Sequence, residues 1–288
     1  MSKKLIHFIV NPISGATKKL GVIEKIKSFA SPDINYEIVF TEYAGHATKL
    51  TQDAINAGAK AVVAVGGDGS VNEVGRALVN TDIALGVIPC GSGNGFARHL
   101  NIPLDVKSAI ETICAFKSER IDTGLVNEQV FLATTGTGFD AHVAHKFADF
   151  GKRGFLSYIQ VSKNEFINYQ PQSYEITIDG KRQNFEAFLI VVANASQYGN
   201  NVWIAPSASF TDGMLNIGIF KKFTVAVMPD IIFRLFNKTI ENANCYQAFT
   251  GKEIRIRGLK NYHLDGEPMN DNDEMHIQIV PKSLSVIC

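Results

Sequence analysis

Short apolar runs alternate with helical segments before about Gly124, and this alternation limits the fold more than any other feature of the sequence. The runs are rich in β-branched residues, and the segments between them carry mixed charge with apolar residues at a spacing of about 3.6. Strands that alternate with helices form a parallel sheet that is covered on both faces. The sequence therefore predicts an α/β domain over residues 1–123, with strands at Leu5–Val10, Tyr36–Thr41, Ala61–Val65 and Ile83–Ile88.

From Gly124 onwards the apolar runs have a period of two and end in turn residues, which is typical of an antiparallel β domain. We expect this domain over residues 124–288, and its final strand could return to the first domain. Two helical insertions are expected inside it, around 154–168 and 225–245. The predicted strands are Ser173–Ile178, Ala187–Ala193, Leu215–Phe220, Glu253–Arg257 and Met275–Val280.

The composition argues against nucleic acid as a partner, because Lys+Arg 28 balances Asp+Glu 28 and leaves no global positive field. No apolar stretch approaches the roughly 20 residues that span a bilayer, so any membrane contact is expected to be peripheral. The four cysteines, Cys90, Cys114, Cys245 and Cys288, form no CxxC pair. This pattern predicts reduced thiols and a cytoplasmic protein.

Three glycines within four positions, Gly66, Gly67 and Gly69, follow directly after the third predicted strand. Such a turn brings backbone N–H groups close to a bulky anion. Ser70 and Glu73 have the spacing of a capping box, which predicts that a helix begins here with its positive end facing the turn. A strand, a glycine turn and a helix N-terminus together predict a phosphate cradle. A tight turn without a ligand is the alternative.

Two further loops occupy equivalent places in the predicted sheet. Asn11–Gly15 follows the first strand, with Lys18 and Lys19 close behind, and Pro89–Arg98 follows the fourth. Loops that follow strands of one parallel sheet gather at one edge, where these would form a rim suited to a nucleotide polyphosphate. The Walker A, dinucleotide-binding, nucleophile-elbow and HExxH zinc motifs are all absent from the sequence.

These loops, together with the segment Leu264–Pro268, resemble the diacylglycerol kinase catalytic-domain superfamily, which includes bacterial lipid kinases and the sphingosine and ceramide kinases. The resemblance covers essentially the whole chain. It implies a nucleotide-binding α/β domain similar to that of NAD kinases and phosphofructokinases, followed by an antiparallel β-sandwich domain that contributes the general base. The implied activity is ATP- and magnesium-dependent transfer of the γ-phosphate to a hydroxyl of a membrane lipid of the diacylglycerol or sphingoid type.

The resemblance also implies which residues bind ATP and magnesium. Asp212 would supply a side-chain ligand to magnesium, and Ser209 and Met214 would supply backbone oxygens, a donor set that suits a hard cation. A plain Asp-Gly turn is the alternative for this segment. The implied ATP-binding residues are Asn11, Thr41, Gly66, Gly67, Asp68, Gly69, Ser70, Val71, Asn72, Gly91 and Ser92.

Phosphoryl transfer to an alcohol needs a group that accepts the proton of the attacking hydroxyl. Glu267 is expected to be this base, and Asp68 is expected to organise magnesium and the nucleotide phosphates. The sequence leaves open whether these two residues exchange roles, and whether the chain forms a homodimer. A kinase of a soluble alcohol, NAD included, and a nucleotide sensor without catalysis are the competing functions.

A last apolar stripe lies at Ile231, Ile232, Phe233, Leu235 and Phe236. It could form a face that touches the membrane, but an apolar stripe on a helix usually packs into the core. We therefore expect these side chains to be buried.

Overall fold

The computed structural model describes residues 3–13, 19–149, 155–269 and 273–288. The chain divides into two compact units. Unit 1 comprises Met1–Asp122 together with Pro281–Cys288, and unit 2 comprises Thr123–Val280. The strands Ser118–Val126 and Glu274–Ile287 therefore each have residues in both units.

Unit 1 alternates strands and helices along the chain. Its elements are β1 (Lys4–Val10), α1 (Lys19–Phe29), β2 (Ile34–Phe40), α2 (His46–Asn56), β3 (Ala61–Gly66), α3 (Asp68–Leu78), β4 (Ala84–Pro89), α4 (Gly95–His99) and α5 (Val106–Ala115).

The strands of unit 1 form a parallel sheet in the order β2-β1-β3-β4. Every residue of β3 and β4 is buried, as expected for strands that are covered on both faces. Apolar residues of α1 and α5 pack against β1, β3 and β4 in one core, while α2 and α3 contact these strands and each other. The predicted α/β domain is confirmed, and each of its four strands lies within two residues of the predicted bounds.

Unit 2 is mainly antiparallel. Its elements are β5 (Ser118–Val126), β6 (Gln129–Phe131), β7 (Thr134–Gly138), α6 (Phe139–Asp149), α7 (Phe155–Phe166), β8 (Gln172–Ile178), β9 (Lys181–Ala187), β10 (Leu189–Ala193), β11 (Leu215–Phe220), α8 (Met228–Phe236), β12 (Tyr246–Gly251), β13 (Glu253–Arg257), β14 (Tyr262–Leu264), β15 (Glu267–Met269) and β16 (Glu274–Ile287), with 3₁₀ turns at Val225–Val227 and Ile240–Asn242.

Two antiparallel sheets of unit 2 share one core. One has the order β12-β11-β10-β7-β14-β15, and the other runs β16-β13-β8-β9. Tyr174 and Ile256 from the second sheet pack with Ile190, Ile217 and Tyr262 from the first. In β13 burial alternates along the strand, which is the period of two that the sequence shows. The predicted antiparallel β domain is therefore confirmed.

Helices cover the other face of the six-stranded sheet. Phe166 of α7 and Ile231 of α8 pack there with Val191 and Phe220 of the sheet. The predicted helix around 154–168 is present as α7, although Gly154 lies outside the described residues. None of the described helices has the length and apolar character that a membrane crossing requires.

The predicted helical insertion around 225–245 is present, but as three short pieces and not as one helix. The segment contains a 3₁₀ turn, the nine-residue helix α8 and a second 3₁₀ turn. The break has a local cause, because Lys238 has φ 58 and so lies in the left-handed region that cannot continue an α-helix.

The expectation that the apolar stripe of this segment is buried is wrong for Ile232, Phe233 and Phe236, which are exposed. Ile231 is buried, and Leu235 is partly buried against the same cluster. A helix that packs on a sheet contacts it with one side only, so the residues on its other side stay in solvent.

Candidate active site

The carboxyl ends of the four parallel strands lie side by side at one edge of the sheet in unit 1. Backbone hydrogen bonds join the segments that leave them. Thr41, directly after β2, donates its N–H to the carbonyl of Val10 in β1 (3.0 Å). Cys90, directly after β4, donates to the carbonyl of Gly66 in β3 (2.7 Å). The loops that the sequence places after separate strands are thus neighbours in space.

The loops after β3 and β4 approach each other backbone to backbone. Gly67, in an extended conformation, leads from β3 into α3, which begins at Asp68. A Cβ atom on Gly91 would lie 2.5 Å from the Cα of Gly67, and one on Gly67 would lie 3.1 Å from the Cα of Gly91. Only glycine at both positions allows this contact without a shift of the loops. The N-terminus of α3 lies at the same place and presents the positive end of the helix dipole.

Asn94 shapes the loop after β4. Its backbone is left-handed, with φ 51 and ψ 44. Its side-chain oxygen accepts the N–H of Gly91 (3.0 Å), and its side-chain nitrogen donates to the Gly91 carbonyl (2.9 Å). The half-buried Asp68 carboxylate accepts the backbone N–H of Phe96 in α4 (3.3 Å). Asp68 therefore connects the start of α3 to the loop after β4.

The loop after β1 is tied to α3 through Asn11. The Asn11 amide nitrogen donates to the hydroxyl of Ser70 (3.2 Å), and its oxygen accepts the N–H of Ile13 (3.0 Å). Ser14, Gly15 and Lys18 lie outside the described residues.

Exposure divides the sequence-predicted ATP-binding residues into three groups. Gly69 and Ser92 are exposed, while Asn11, Gly67, Asp68 and Gly91 are partly buried. The buried members of the set are Thr41, Gly66, Ser70, Val71 and Asn72.

The predicted capping box at Ser70 and Glu73 is wrong. Gly67 is the N-cap of α3, and Ser70 is the third residue of that helix. The Glu73 carboxylate instead accepts the N–H of Ala47 at the start of α2 (3.0 Å). The spacing of a capping box is a local signal, whereas the partner of this glutamate lies in a neighbouring helix.

In unit 2, a two-residue turn joins β14 to β15. Asp265 and Gly266 both have positive φ, 52 and 84, as a type I′ hairpin requires. This turn places Glu267 at the first position of β15, opposite Leu264, with its side chain exposed.

Asp265 anchors the hairpin turn. Its carboxylate accepts the backbone N–H groups of Leu132 (2.9 Å), Ala133 (2.8 Å) and Thr134 (3.0 Å). In return, Asp265 donates its own N–H to the carbonyl of Thr134 (2.7 Å). The Asp265 carboxylate therefore binds the backbone of Leu132 and Ala133, just before β7, and of Thr134, the first residue of β7.

A buried polar network lies beneath the same turn. The Gly266 N–H donates to Nδ1 of His263 (3.2 Å), so the ring proton is on Nε2, which donates to the Asp140 carboxylate (2.9 Å). The Tyr198 hydroxyl donates to the same carboxylate oxygen (3.1 Å). His263 and Asp140 are both buried. The sequence does not reveal this network, because its three members are far apart in the chain and none lies in a recognisable motif.

The segment 209–214, which contains the predicted magnesium ligands, forms a compact turn. The Asp212 carboxylate accepts the N–H of Met214 (3.0 Å), and the Ser209 hydroxyl accepts the N–H of Thr211 (3.3 Å). The available donors are oxygens, which fit a hard cation. No group of three or more His, Cys, Asp or Glu side chains among the described residues could hold a metal. Magnesium at this turn would therefore depend on one carboxylate and backbone oxygens.

Two family models cover most of the chain. Residues 5–126 match the diacylglycerol kinase catalytic domain, and residues 133–288 match the YegS C-terminal NAD kinase beta sandwich-like domain. An uncharacterised protein of Synechocystis is 28% identical over 97% of this chain and 69% of its own length. A protein of Escherichia coli named "probable lipid kinase YegS" is also 28% identical, over 93% of this chain and 91% of its own length.

Solved structures show the same fold. A crystal structure of a diacylglycerol kinase from Bacillus anthracis has a TM-score of 0.75 at 21% identity and covers 99% of this chain and 96% of its own. A further Bacillus anthracis structure reaches a TM-score of 0.80 at 24% identity with the same coverage.

Proposed function

This chain belongs to the diacylglycerol kinase catalytic-domain family, and on that premise we propose that it is a magnesium-dependent lipid kinase. It transfers the γ-phosphate of ATP to a hydroxyl group of a membrane lipid of the diacylglycerol or sphingoid type. The observation that carries the proposal is the close approach of Gly67 and Gly91 at the N-terminus of α3. Side-chain-free backbone at a helix N-terminus is a suitable surface for a polyphosphate.

In this proposal ATP binds along the edge where the parallel strands end. Its phosphates lie over the first turn of α3, where exposed Gly69 leaves the backbone accessible. The helix dipole places roughly half a positive charge at this end, which stabilises an anion. Asp68 organises the magnesium ion that accompanies ATP. Magnesium neutralises charge on the transferring phosphoryl group, which is its main contribution to this chemistry.

Glu267 is the proposed general base. The Asp265-Gly266 turn sets its backbone position, and the three hydrogen bonds to Asp265 hold that turn. An exposed carboxylate can receive the proton of a lipid hydroxyl as the hydroxyl attacks the γ-phosphate. Asp212, with backbone oxygens of Ser209 and Met214, is proposed to bind a second magnesium ion that stabilises its turn.

The reaction is tested by transfer of labelled γ-phosphate from ATP into a lipid extract, into NAD and into glycerol, each with and without magnesium. A labelled lipid that forms only with magnesium supports the proposal and identifies the substrate class. Label in NAD or glycerol alone would refute the lipid assignment in favour of a soluble acceptor. ATP binding without any transfer would indicate a nucleotide sensor.

The base is tested by Glu267→Gln, which keeps the size of the side chain and removes the proton acceptor. General base catalysis contributes about 10²–10⁴-fold, so we expect turnover to fall by at least about 100-fold while ATP binding is retained. Glu186→Gln is the matched control, because Glu186 is an exposed glutamate on β9. Near-normal turnover in Glu267→Gln would move the role of base to Asp68.

A further inference from the structure

Large apolar side chains are exposed together along one short segment of unit 2. Val225 is 58% exposed, Ile232 48%, Phe233 63% and Phe236 47%. Val227, between them, is also exposed. We call these five residues the α8 ridge. Contiguous exposed apolar patches on a soluble protein mark interaction sites, whereas apolar residues scattered singly over a surface are normal.

Helix α8 has two apolar faces, and only one of them serves the fold. Met228, Ile231 and Leu235 recur at the spacing of one helix face and pack against the cluster on the six-stranded sheet. Ile232, Phe233 and Phe236 are on a second face, turned by roughly 120° at 100° per residue. The first face already packs the helix against the sheet. The second face therefore does not need apolar residues for unit 2 to fold.

Basic side chains flank the ridge. Residues 221–238 contain four basic residues and one acidic residue. The acidic residue, Asp230, is paired with Arg234 one helical turn later (2.7 Å). Lys221, Lys222 and Lys238 are exposed at the two ends of the segment. This local positive charge stands out because the whole chain has a net charge of +0.

The one tryptophan of the chain lies beside the ridge. Trp203 donates its backbone N–H to the carbonyl of Leu235 in α8 (2.9 Å) and is partly exposed. The ammonium group of Lys238 lies 3.9 Å from the centroid of its ring. Tryptophan and lysine with an apolar stripe are the residues that occupy the boundary between lipid headgroups and acyl chains.

From the ridge and its charges we infer that α8 docks this protein on the surface of a membrane that contains anionic lipid. Ile232, Phe233 and Phe236 enter the headgroup boundary, and Lys221 and Lys238 contact anionic headgroups. The inference rests on the proposed function, since an enzyme whose substrate stays in a bilayer must reach that bilayer. The charge pattern favours anionic lipid over a second copy of this chain, because two copies would bring like charges together.

Trp203 reports on the docking directly. When vesicles of equimolar phosphatidylcholine and phosphatidylglycerol are added, we expect its emission to shift to shorter wavelength and to be shielded from an aqueous quencher. Vesicles of phosphatidylcholine alone should produce a much weaker change, and added salt should weaken the response to anionic vesicles. Cosedimentation with the anionic vesicles while Trp203 emission stays unchanged would overturn the inference, and so would a failure to bind them.

The ridge is tested by the double variant Ile232→Asn with Phe233→Asn, for which we expect at least a tenfold loss of vesicle binding. Both side chains are exposed, so the thermal unfolding midpoint should stay close to wild type. Phe29→Asn is the matched control, because Phe29 is an exposed phenylalanine on α1 in unit 1. Equal vesicle binding by the double variant and the control would refute the assignment. A wild-type dimer that the double variant converts to a monomer would also refute it, because the ridge would then be a self-association surface.

Activity separates this inference from the proposed function. Phosphorylation of a lipid in anionic vesicles should fall at least tenfold in the double variant, while phosphorylation of a short-chain, water-dispersed analogue should be unchanged. An equal loss with both substrates would overturn the docking role. If Trp203 emission showed vesicle binding but the protein phosphorylated no lipid, the docking role of the α8 ridge would be supported and the proposed function would be rejected.

Discussion

Replacement of Gly91 by alanine tests the contact that forms the proposed phosphate cradle. The new Cβ would lie 2.5 Å from the Cα of Gly67 and 2.9 Å from the side-chain oxygen of Asn94. Nonbonded carbon atoms prefer about 3.5–4.0 Å, so the two loops must separate by about 1 Å. Gly91 does not have positive φ, so its backbone accepts alanine and the substitution isolates the steric effect.

Two consequences follow from this displacement. Overpacking of a well-packed contact costs about 1–3 kcal/mol, which we expect as a loss in the free energy of unfolding measured in urea. The displaced segment also includes Gly67, the N-cap of α3. A misplacement of about 1 Å can lower catalysis about 100-fold, and we expect a loss of this size in the kcat/KM for ATP.

Gly69→Ala is the matched control for this prediction. Gly69 is the second residue of α3, and nothing in the described part of the chain lies within 4 Å of an added Cβ. Stability should be unchanged or slightly raised, since alanine favours a helix over glycine by up to about 1 kcal/mol. Any loss of ATP binding in this variant would then report on the ligand alone. Wild-type stability and ATP affinity in Gly91→Ala would show that the loops are not packed as described, and would remove the main support for the cradle.

Three further predictions concern stability. Asp265→Ala should destabilise unit 2 by about 3 kcal/mol in chemical unfolding, because three backbone N–H groups lose their acceptor. Asp265→Asn should recover part of this loss. If the alanine variant and wild type unfolded at the same denaturant concentration, this reasoning would be contradicted. Glu73→Ala should cost about 1 kcal/mol, because the N–H of Ala47 at the start of α2 loses its capping partner, and a thermal melt as stable as wild type would argue against the cap. Burial lowers the pKa of His99 from 6.5 to about 4, so as the pH falls His99 is protonated in the unfolded chain before it is protonated in the folded one. The free energy of unfolding is therefore unaffected by this group above about pH 6.5 and falls by up to about 3 kcal/mol towards pH 4. His99→Gln should flatten this part of the pH dependence of unfolding, and an unchanged slope would rule out the histidine as its source.

The exposed ridge on α8 shows where periodicity alone fails. The sequence identifies the apolar residues at Ile231–Phe236. The prediction that they are buried is correct only for those that face the sheet. A helical period indicates which side chains share a face. Whether that face meets another element depends on residues far away in the chain, such as Val191 and Phe220.

The sequence by itself determined the order of strands and helices, the change from an α/β to an antiparallel β domain, and the loops that follow the parallel strands. These features follow from local rules, because β-branched runs, side-chain period and glycine turns act over a few residues. The tertiary structure decided that Gly67 touches Gly91, that Glu73 caps α2, and that Asp140 binds His263. Each of these contacts joins residues that are distant in sequence, so the packed fold selects it from many partners that the chain alone leaves open.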